Sequence, residues 1–589
     1  MIMIKLSDYI FRFLKSKGIR HAFMLPGGGA MHLDDSIGKS GIEYICCLHE
    51  QAAAIAAEAY GQHTNMPGLV LVTSGPGATN AITGVTAGWI DSTPMVIISG
   101  QAKRPDLVGD KRVRQIGSQE VQIIPMVKPI TKYAVQVLEP MEIKYHLERA
   151  YHEAVTGRPG PVWLDIPLDV QAVMLDEQSL VGYKPEKTAQ TDISDAISKT
   201  VELLKESKKP LILAGNGIKL AGAEEFLYQL MNRLQIPVET TWKTIDMLAE
   251  DAPLYVGHPG IMGDRGANLI VQNADFILSV GCRLDTSVTA FNDRNFGKCA
   301  RKIIVDIDPN EIMRMDMDKA AAAVCDAGLF LGNLLEEIER SSIEVKWEER
   351  KEWLAYCREI RDKYPVITGE HKNVRGCVSA YYFVGELCKL LREDDVIVPE
   401  SSGGAGEITY QAFKLKKGQK MKNAAGLGSM GFGLPYAIGA CIANDGKRTI
   451  LINGDGAFQL NIQELETLHR LKLPVKMFIW SNDGYASIRA MQRNNFEGHY
   501  VASDEGSGLT MPDISRIAEA YGFKTYCINN NEELDKMLPQ IMSDDNPMLC
   551  ELKVLPEETV SPRVKAIVGE NGAMISGVLE RMWPYNEIC

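Results

Sequence analysis

The sequence contains no run approaching the roughly 20 consecutive apolar residues that a membrane-spanning helix needs. Its opening, M-I-M-I-K-L-S-D-Y-I, lacks a basic region leading into an apolar core, so no secretory leader is expected. A basic tract is also missing: 63 Lys and Arg stand against 76 Asp and Glu, for a net charge of -13. That balance excludes binding to nucleic acid or an anionic membrane through bulk charge. An anionic ligand would have to be held locally, by a metal or a helix terminus. Cysteine is sparse, 12 in 589 residues, with no C-x-x-C pair although Cys46 and Cys47 are adjacent. A disulfide scaffold is thereby excluded, and buried reduced thiols in a cytoplasmic protein are expected. No heptads, solenoid periods or low-complexity tracts occur.

What is present is an α/β pattern over a length that implies about three or four domains. Short β-branched runs at 69–72, 95–98, 211–213, 277–280, 303–305 and 449–452 alternate with helical segments and end near Gly, Asp or Ser. They read as buried parallel strands with loops at their C-terminal ends. A polar stretch at 175–192 and a charged helical one at 340–375 suggest boundaries. The expected fold is three α/β domains with doubly wound parallel sheets, at 1–180, 190–340 and 365–589, the last with a C-terminal tail.

The sharpest chemical signal is a βαβ unit. A strand at 449–453 runs into Gly454-Asp455-Gly456-Ala457, a helix follows with Ile462, Leu465, Leu468 and Leu471 on one stripe, and a second strand at 475–480 ends at Ser481-Asn482-Asp483-Gly484. A right-handed crossover puts Asp455 and Asn482 at one edge of the sheet. A carboxylate, an amide oxygen and a backbone carbonyl near Gly484 suit Mg²⁺, which keeps positions for ligand phosphates. Gly454, Gly456 and Ala457 are small enough to admit a diphosphate at the helix N-terminus. G-D-G alone is common; the Asn at this spacing after a strand is what gives it weight. Far away, a strand at 42–47 ends at Leu48-His49-Glu50-Gln51 before an alanine-rich helix at 52–60. Glu50 there is either a helix N-terminal carboxylate in solvent or one held against an apolar helix with a raised pKa.

Together these segments resemble the thiamine-diphosphate-dependent enzymes, in their acetolactate synthase and pyruvate oxidase branch. The resemblance runs over nearly the whole chain: P-G-G at 26–28, L-H-E-Q at 48–51, T-S-G-P-G-A-T-N at 73–80, I-T-K-Y at 130–133, G-R-P-G-P-V at 157–162, G-L-G-S-M-G-F-G-L-P at 426–435 and the G-D-G…N metal motif. It implies pyrimidine-binding, central and diphosphate-binding domains and active sites between subunits of a homodimer or homotetramer. Glu50 would hydrogen-bond the cofactor's aminopyrimidine and promote loss of the thiazolium proton. Met430 would wedge the cofactor into a bent shape, with the Gly428 carbonyl facing the aminopyrimidine. Pro26, Gly27, Tyr485 and Ala486 would add cofactor contacts, with Asp455, Asn482 and Gly484 holding Mg²⁺. Ser402, Gly403 and Gly404 occupy the diphosphate loop, where the family's G-Q-H is absent.

The resemblance also implies FAD in the central domain, with no net redox role. Gly215 and Gly217 follow a strand, Arg283 and Asp285 lie in R-L-D-T-S-V-T, and Asp306 and Asp326 end later strands; the second arginine of the family motif is replaced by Ser287. The acceptor pocket departs further. Gln119 is kept, but the family's phenylalanine, lysine and tryptophan are replaced by Ser118, Leu168 and Met491. Two rings and one cation are lost, opening room and removing a partner for an acceptor carboxylate. The implied reaction uses a pyruvate-type donor and a bulkier ketone acceptor, as in acetolactate-synthase-like enzymes acting on nucleotide-linked 4-keto deoxysugars. Lys103, Arg104, Lys111, Arg112 and Arg114 lie near Gln119 and would meet a nucleotide diphosphate, or else form a solvated loop. The alternatives are plain acetolactate synthase, a simple 2-oxo acid decarboxylase or oxidase, and a non-catalytic scaffold subunit. Glu50, Asp455 and Asn482 argue against the last.

Overall fold

The computed structural model describes residues 3–186, 191–556, 558–568, 574–575 and 577–585. Three parallel sheets form its frame. The first contains β1 (His21–Met24), β2 (Glu43–Cys46), β3 (Gly68–Val72), β4 (Met95–Gln101), β5 (Tyr133–Gln136) and β6 (Pro161–Pro167), ordered β2-β1-β3-β4-β6-β5. The second contains β7 (Pro210–Ala214), β8 (Val238–Thr240), β9 (Phe276–Val280), β10 (Arg301–Asp306) and β11 (Ala321–Val324), ordered β8-β7-β9-β10-β11. The third contains β12 (Val396–Pro399), β13 (Lys420–Met421), β14 (Thr449–Gly454), β15 (Val475–Ser481), β16 (Lys524–Ile528) and β17 (Met548–Lys553), ordered β13-β12-β14-β15-β17-β16. The first and third sheets thus share one permutation of strands.

The central strands of these sheets are buried on both faces, which is why they read as continuous apolar runs. Three α/β domains follow, as the sequence pattern predicts.

The Glu50–Thr64 helix joins the first and third domains. Ala52, Ala53, Ala54, Ala56, Ala57 and Ala59 have no exposed surface, and small side chains let neighbouring backbones come close. On one side a Cβ at Gly84 of the Pro76–Asp91 helix would meet Ala54; on the other, a Cβ at Gly439 of the Gly433–Ala443 helix would overlap the Ala56 carbonyl oxygen. Polar bonds flank this contact: Leu48 N–H to Glu464 Oε1 at 2.9 Å, Asn461 Nδ2 to Gln51 Oε1 at 3.1 Å and Gln62 Nε2 to the Asn423 carbonyl at 2.9 Å.

The charged 340–375 stretch contains the Trp347–Lys363 helix, whose inner face is anchored on the central domain. Arg350 is buried and donates to the Leu234 and Leu204 carbonyls, and the Trp353 indole donates to the Pro210 carbonyl. Past β17 the tail returns to the central domain. Val564 N–H bonds the Ile261 carbonyl at 2.7 Å, and Arg265 reaches the Met582 and Pro584 carbonyls at 3.1 and 2.7 Å. Among the described residues no helix is long and apolar enough to cross a membrane, and the cysteines are free, with Cys299 and Cys527 exposed rather than buried.

Candidate active site

β14 and β15 lie side by side and parallel, so their C-terminal ends meet. Asp455 opens the short Asp455–Phe458 helix and is only 2% exposed. Its Oδ1 accepts from Gly456 N–H at 2.7 Å and its Oδ2 from Asn482 N–H at 3.1 Å. Burial pushes this carboxyl up to about 6, against the backbone N–H bonds that lower it. The Asn482 Oδ1 is buried and has no hydrogen-bond partner among the described residues. A carboxylate and an orphaned amide oxygen at one corner fit a hard divalent cation. Mg²⁺ bound by so few protein oxygens keeps positions for a ligand's phosphates. Gly484 has φ 123°, a conformation that disfavours other residues, and a Cβ there would press on the Ser503 carbonyl. A Cβ at Gly456 would collide with the Tyr485 ring, whereas Gly454 faces open space; Ala457 is buried and Ala486 begins the Ala486–Asn495 helix.

Two loops border this corner. Ser402 precedes the Gly403–Ala412 helix, whose first turn has no side-chain cap, leaving its N–H groups for a ligand. Gly428, with φ 64°, and the half-buried Met430 lie on the loop before the Gly433–Ala443 helix. Glu400, which sequence reasoning missed, ties these loops together. It is fully buried, and its carboxylate accepts from Ser401 N–H at 2.8 Å and Gly433 N–H at 3.1 Å. Desolvation pushes its carboxyl up to about 7. A lone Glu at a strand end gives no sequence signal for this bridge.

Glu50 is the first residue of its helix and is 7% exposed, buried rather than solvated. Asn80 Nδ2 donates to its Oε2 at 3.0 Å, and Gly77 keeps the Oε1 side clear of any side chain of its own. Pro26 is exposed; Gly27 donates to Asp34 Oδ2 and packs so closely on Thr73 that a Cβ would collide with it. Gln119 is exposed with φ 59°, and its carbonyl fills the space beside Gly75, at the start of the helix that carries Asn80.

The acceptor-pocket candidates are not gathered into one cavity within one chain. Ser118 is exposed and Leu168 is half-buried at the end of β6. Met491, 42% exposed, lines a cavity of 410 Å³ that also borders Asn482 and Ala486, and every residue lining it comes from position 261 onward. The first domain contributes nothing to that wall. In the basic loop, Arg104 is paired with Asp169 at 2.7 Å and Lys111 bonds the Leu107 carbonyl, while Lys103, Arg112 and Arg114 are exposed. Glu120 pins this loop by accepting from Val108 and Ile116 N–H at 2.6 and 3.1 Å.

A second cleft, of 330 Å³, lies where the three domains meet. Gly217, Arg283, Asp285, Asp306 and Asp326 all line it, with Asp91 and Arg158 from the first domain and Gly426 from the third. Gly215 lies behind the wall, where a Cβ would strike the Gly281 carbonyl. Asp285 and Asp326 also cap helices, accepting backbone N–H from Ser287 and Val288 and from Gly328 and Leu329. Arg283 bonds Asp285 at 3.1 Å and the Ile90 carbonyl at 3.2 Å. Lys243 locks the junction through Asp91 at 2.8 Å and the Asn423 carbonyl at 2.6 Å.

Residues 4–124 match the N-terminal TPP binding domain of thiamine pyrophosphate enzymes, 197–334 their central domain and 402–552 their C-terminal TPP binding domain. The probable acetolactate synthase large subunit of Methanocaldococcus jannaschii is 32% identical over 574 residues, covering 95% of this chain and 93% of its own. The chain belongs to the thiamine pyrophosphate enzymes. It is similar also to the acetolactate synthase isozyme 2 large subunit of Escherichia coli K12, at 29% identity over 98% of this chain and 99% of the relative. The acetolactate synthase large subunit of Lactococcus lactis subsp. lactis is 30% identical, with 95% and 94% covered. The chain is therefore an acetolactate-synthase-like, thiamine-diphosphate-dependent enzyme. The Asp455–Asn482 corner lies in the C-terminal TPP binding domain and Glu50 in the N-terminal one.

Proposed function

We propose that this enzyme decarboxylates pyruvate and transfers the acetyl unit to a ketone larger than pyruvate, such as a nucleotide-linked 4-keto deoxysugar. The observation that carries the reading is Met491, an unbranched side chain on the wall of a 410 Å³ cavity that reaches Asn482. Ser118 and Leu168 add no ring and no cation. Bound thiamine diphosphate supplies the nucleophilic carbon and the electron sink that loss of CO₂ from a 2-oxo acid requires. Glu50, shielded from water and oriented by Asn80, holds or yields a proton at its free Oε1. Asp455, the orphaned Asn482 Oδ1 and the Gly484 carbonyl would hold Mg²⁺ against the diphosphate. The Gly403–Ala412 helix N-terminus would receive phosphate oxygens, and Met430 would press the cofactor into its reactive bend.

The cleft at the three-domain junction suits FAD as a structural ligand, with Gly217 and Arg283 on its wall. The cavity beside Met491 lacks any residue of the first domain, which supports a homodimer or homotetramer in which Glu50, Gln119 and Ser118 of one chain complete the site of another. Acetolactate synthesis from two pyruvates is the second reading, favoured by the relatives' identities over nearly the full chain. Incubation with pyruvate, thiamine diphosphate and Mg²⁺, with and without a ketone series, analysed by mass spectrometry, separates the two. Rapid acetolactate formation with every larger ketone ignored would sink the first.

A further inference from the structure

The chain between β4 and the Ile123–Val127 helix is rooted beside Glu50. A Cβ at Gly77 would lie 3.5 Å from Glu50 Oε1, and one at Gly75, two residues earlier, would strike the Gln119 carbonyl oxygen. Gln101, buried at the end of β4, holds both ends of this segment. Its Oε1 accepts from Ala102 N–H and its Nε2 donates to the Val121 carbonyl, each at 2.9 Å, and to Asp165 at 3.0 Å. Gly117 N–H bonds the Asp106 carbonyl at 2.8 Å. Glu120, 4% exposed, accepts from both Val108 and Ile116 N–H, so the chain between them projects as a closed loop on a fixed base.

Every residue from 109 to 116 is exposed, and three of them are cations in a chain whose net charge is -13. Lys111 folds back onto the Leu107 carbonyl at 3.3 Å. Arg112 and Arg114 have no hydrogen-bond or ion-pair partner among the described residues, although Asp106 and Asp110 lie close by in sequence. Two free guanidiniums beside a lysine match a ligand of more than one negative charge, and their forked donors suit phosphate oxygens. Val113 and Ile116, 51% and 43% exposed, add apolar surface among the cations, on which a flat ring can lie. A nucleoside diphosphate carries both features. Arg114 lies five residues before Gln119, a span of at most roughly 18 Å, so one ligand can reach from the loop to the Glu50 carboxylate.

We propose that the 109–116 loop is the binding site for the diphosphate of the acceptor, a ketone carried on a nucleoside diphosphate. Arg112 and Arg114 grip phosphate oxygens, and Val113 and Ile116 underlie the base. The inference rests on the large-ketone reading and deepens it. It puts recognition of the acceptor's carrier on the first domain, the domain that also supplies Glu50, so carrier and carbonyl are handled by the same chain.

The test uses the enzyme saturated with thiamine diphosphate and Mg²⁺, so that the cofactor's own diphosphate site is filled. Calorimetry then titrates UDP and GDP, one pyrimidine and one purine, against uridine and guanosine, which lack the phosphates, and citrate, which has three carboxylates and no base. The tighter diphosphate is expected to bind at least roughly 100-fold better than its nucleoside or citrate. Arg112→Asn, which tolerates the left-handed backbone at φ 46°, and Arg114→Ser are each expected to weaken it about tenfold, as loss of a charge-assisted bond does. Arg340→Ser removes an exposed cation from the central domain and is expected to change nothing. Diphosphates that fail to bind, or that bind the folded double variant as well as wild type, overturn the proposal and leave the large-ketone reading to its own ketone series. Citrate bound as tightly as the diphosphate makes the loop a general anion patch and overturns the proposal too. Tight diphosphate binding by an enzyme that forms only acetolactate overturns the large-ketone reading, and with it the loop's assignment to the acceptor.

Discussion

Asn80 donates its side-chain amide to Glu50 across 3.0 Å, from the helix that packs on the alanine face of Glu50's own helix. That bond fixes one carboxylate oxygen; on the proposed reading the other exchanges a proton with the cofactor. Glu50→Gln keeps the shape but cannot give and take a proton, so 2-oxo acid decarboxylation is expected to fall at least about 100-fold. Asn80→Ala leaves the carboxylate in place but unoriented and is expected to lose roughly tenfold. Exchange of the cofactor's thiazolium C2–H, followed by NMR, reads both directly. Wild-type exchange in Glu50→Gln would remove Glu50 from the proton transfer.

At the proposed metal corner, Asp455→Ala and Asn482→Leu each delete one oxygen that would be presented to the cation. Thiamine diphosphate affinity in the presence of Mg²⁺ is expected to drop about 10- to 100-fold, because two phosphates then lack a full counter-charge. Calorimetric titration checks this. Affinity equal to wild type in both variants would show that the cation is held elsewhere.

Much of this site is legible in the sequence because it is local. Asp455 and Asn482 belong to one βαβ unit, and a parallel crossover forces their strands' C-terminal ends together. Gly217, Arg283, Asp285, Asp306 and Asp326 converge because each sits at the C-terminal edge of the central sheet, where loops of a doubly wound domain meet. What is not legible depends on contacts between distant segments. Asn80 matters only because Gly84 lets two helices approach; Glu400 matters only because the Gly433 N–H points at it. The pairing of Ser118 with Met491 is a different case. Within one chain their surroundings are separate, so no reading of a single fold brings them together.

The Ala56–Gly439 contact predicts a sharp sensitivity. A methyl group at Gly439 would overlap the Ala56 carbonyl oxygen, and backbone cannot rotate away as a side chain can. Gly439→Ala is expected to cost at least about 1–3 kcal/mol and to loosen the first domain from the third. Gly446→Ala serves as a comparison, since nothing lies within 4 Å of its Cβ position, though its φ of 72° carries a strain of its own. Denaturant midpoints that fall equally for both would remove the close-packing argument.

Acid is expected to weaken the three-domain junction through His63. Desolvation, then the Lys422 and Lys420 charges, hold its imidazole down at about 4, and its Nδ1 is buried without a partner among the described residues. An unfolded histidine takes up its proton near pH 6.5, whereas the folded one stays neutral until about 4. The unfolded chain therefore binds more protons between those values, and stability contributed by neutral His63 is lost as pH falls from 6.5 to 4. His63→Gln is expected to flatten that part of the profile by about 1–3 kcal/mol. Unfolding midpoints of variant and wild type across the window decide it; parallel curves would clear His63.

The acceptor side gives the most direct contest between the two readings of function. Ser118→Phe with Met491→Trp adds two rings where the sequence departs from the family pattern it resembles. Neither change touches Glu50, Asp455 or Asn482, so loss of CO₂ from pyruvate is expected to persist. Overfilling a site costs roughly 1–3 kcal/mol even where neighbours adjust, so transfer to a large ketone is expected to fall on the order of tenfold or more. Acetolactate formation is expected to rise only modestly, because Leu168 still supplies no cation for the second pyruvate's carboxylate; adding Leu168→Lys is expected to raise it further. Met491→Trp alone tests the cavity wall, since Met491 lines it and Ser118 does not. If Ser118 of one chain completes the partner's site, the double variant's effect will differ from the sum of the single ones, as neighbours that share a space are not additive. Strict additivity, with large-ketone transfer intact, would leave both residues outside the acceptor pocket and return the enzyme to plain acetolactate synthesis.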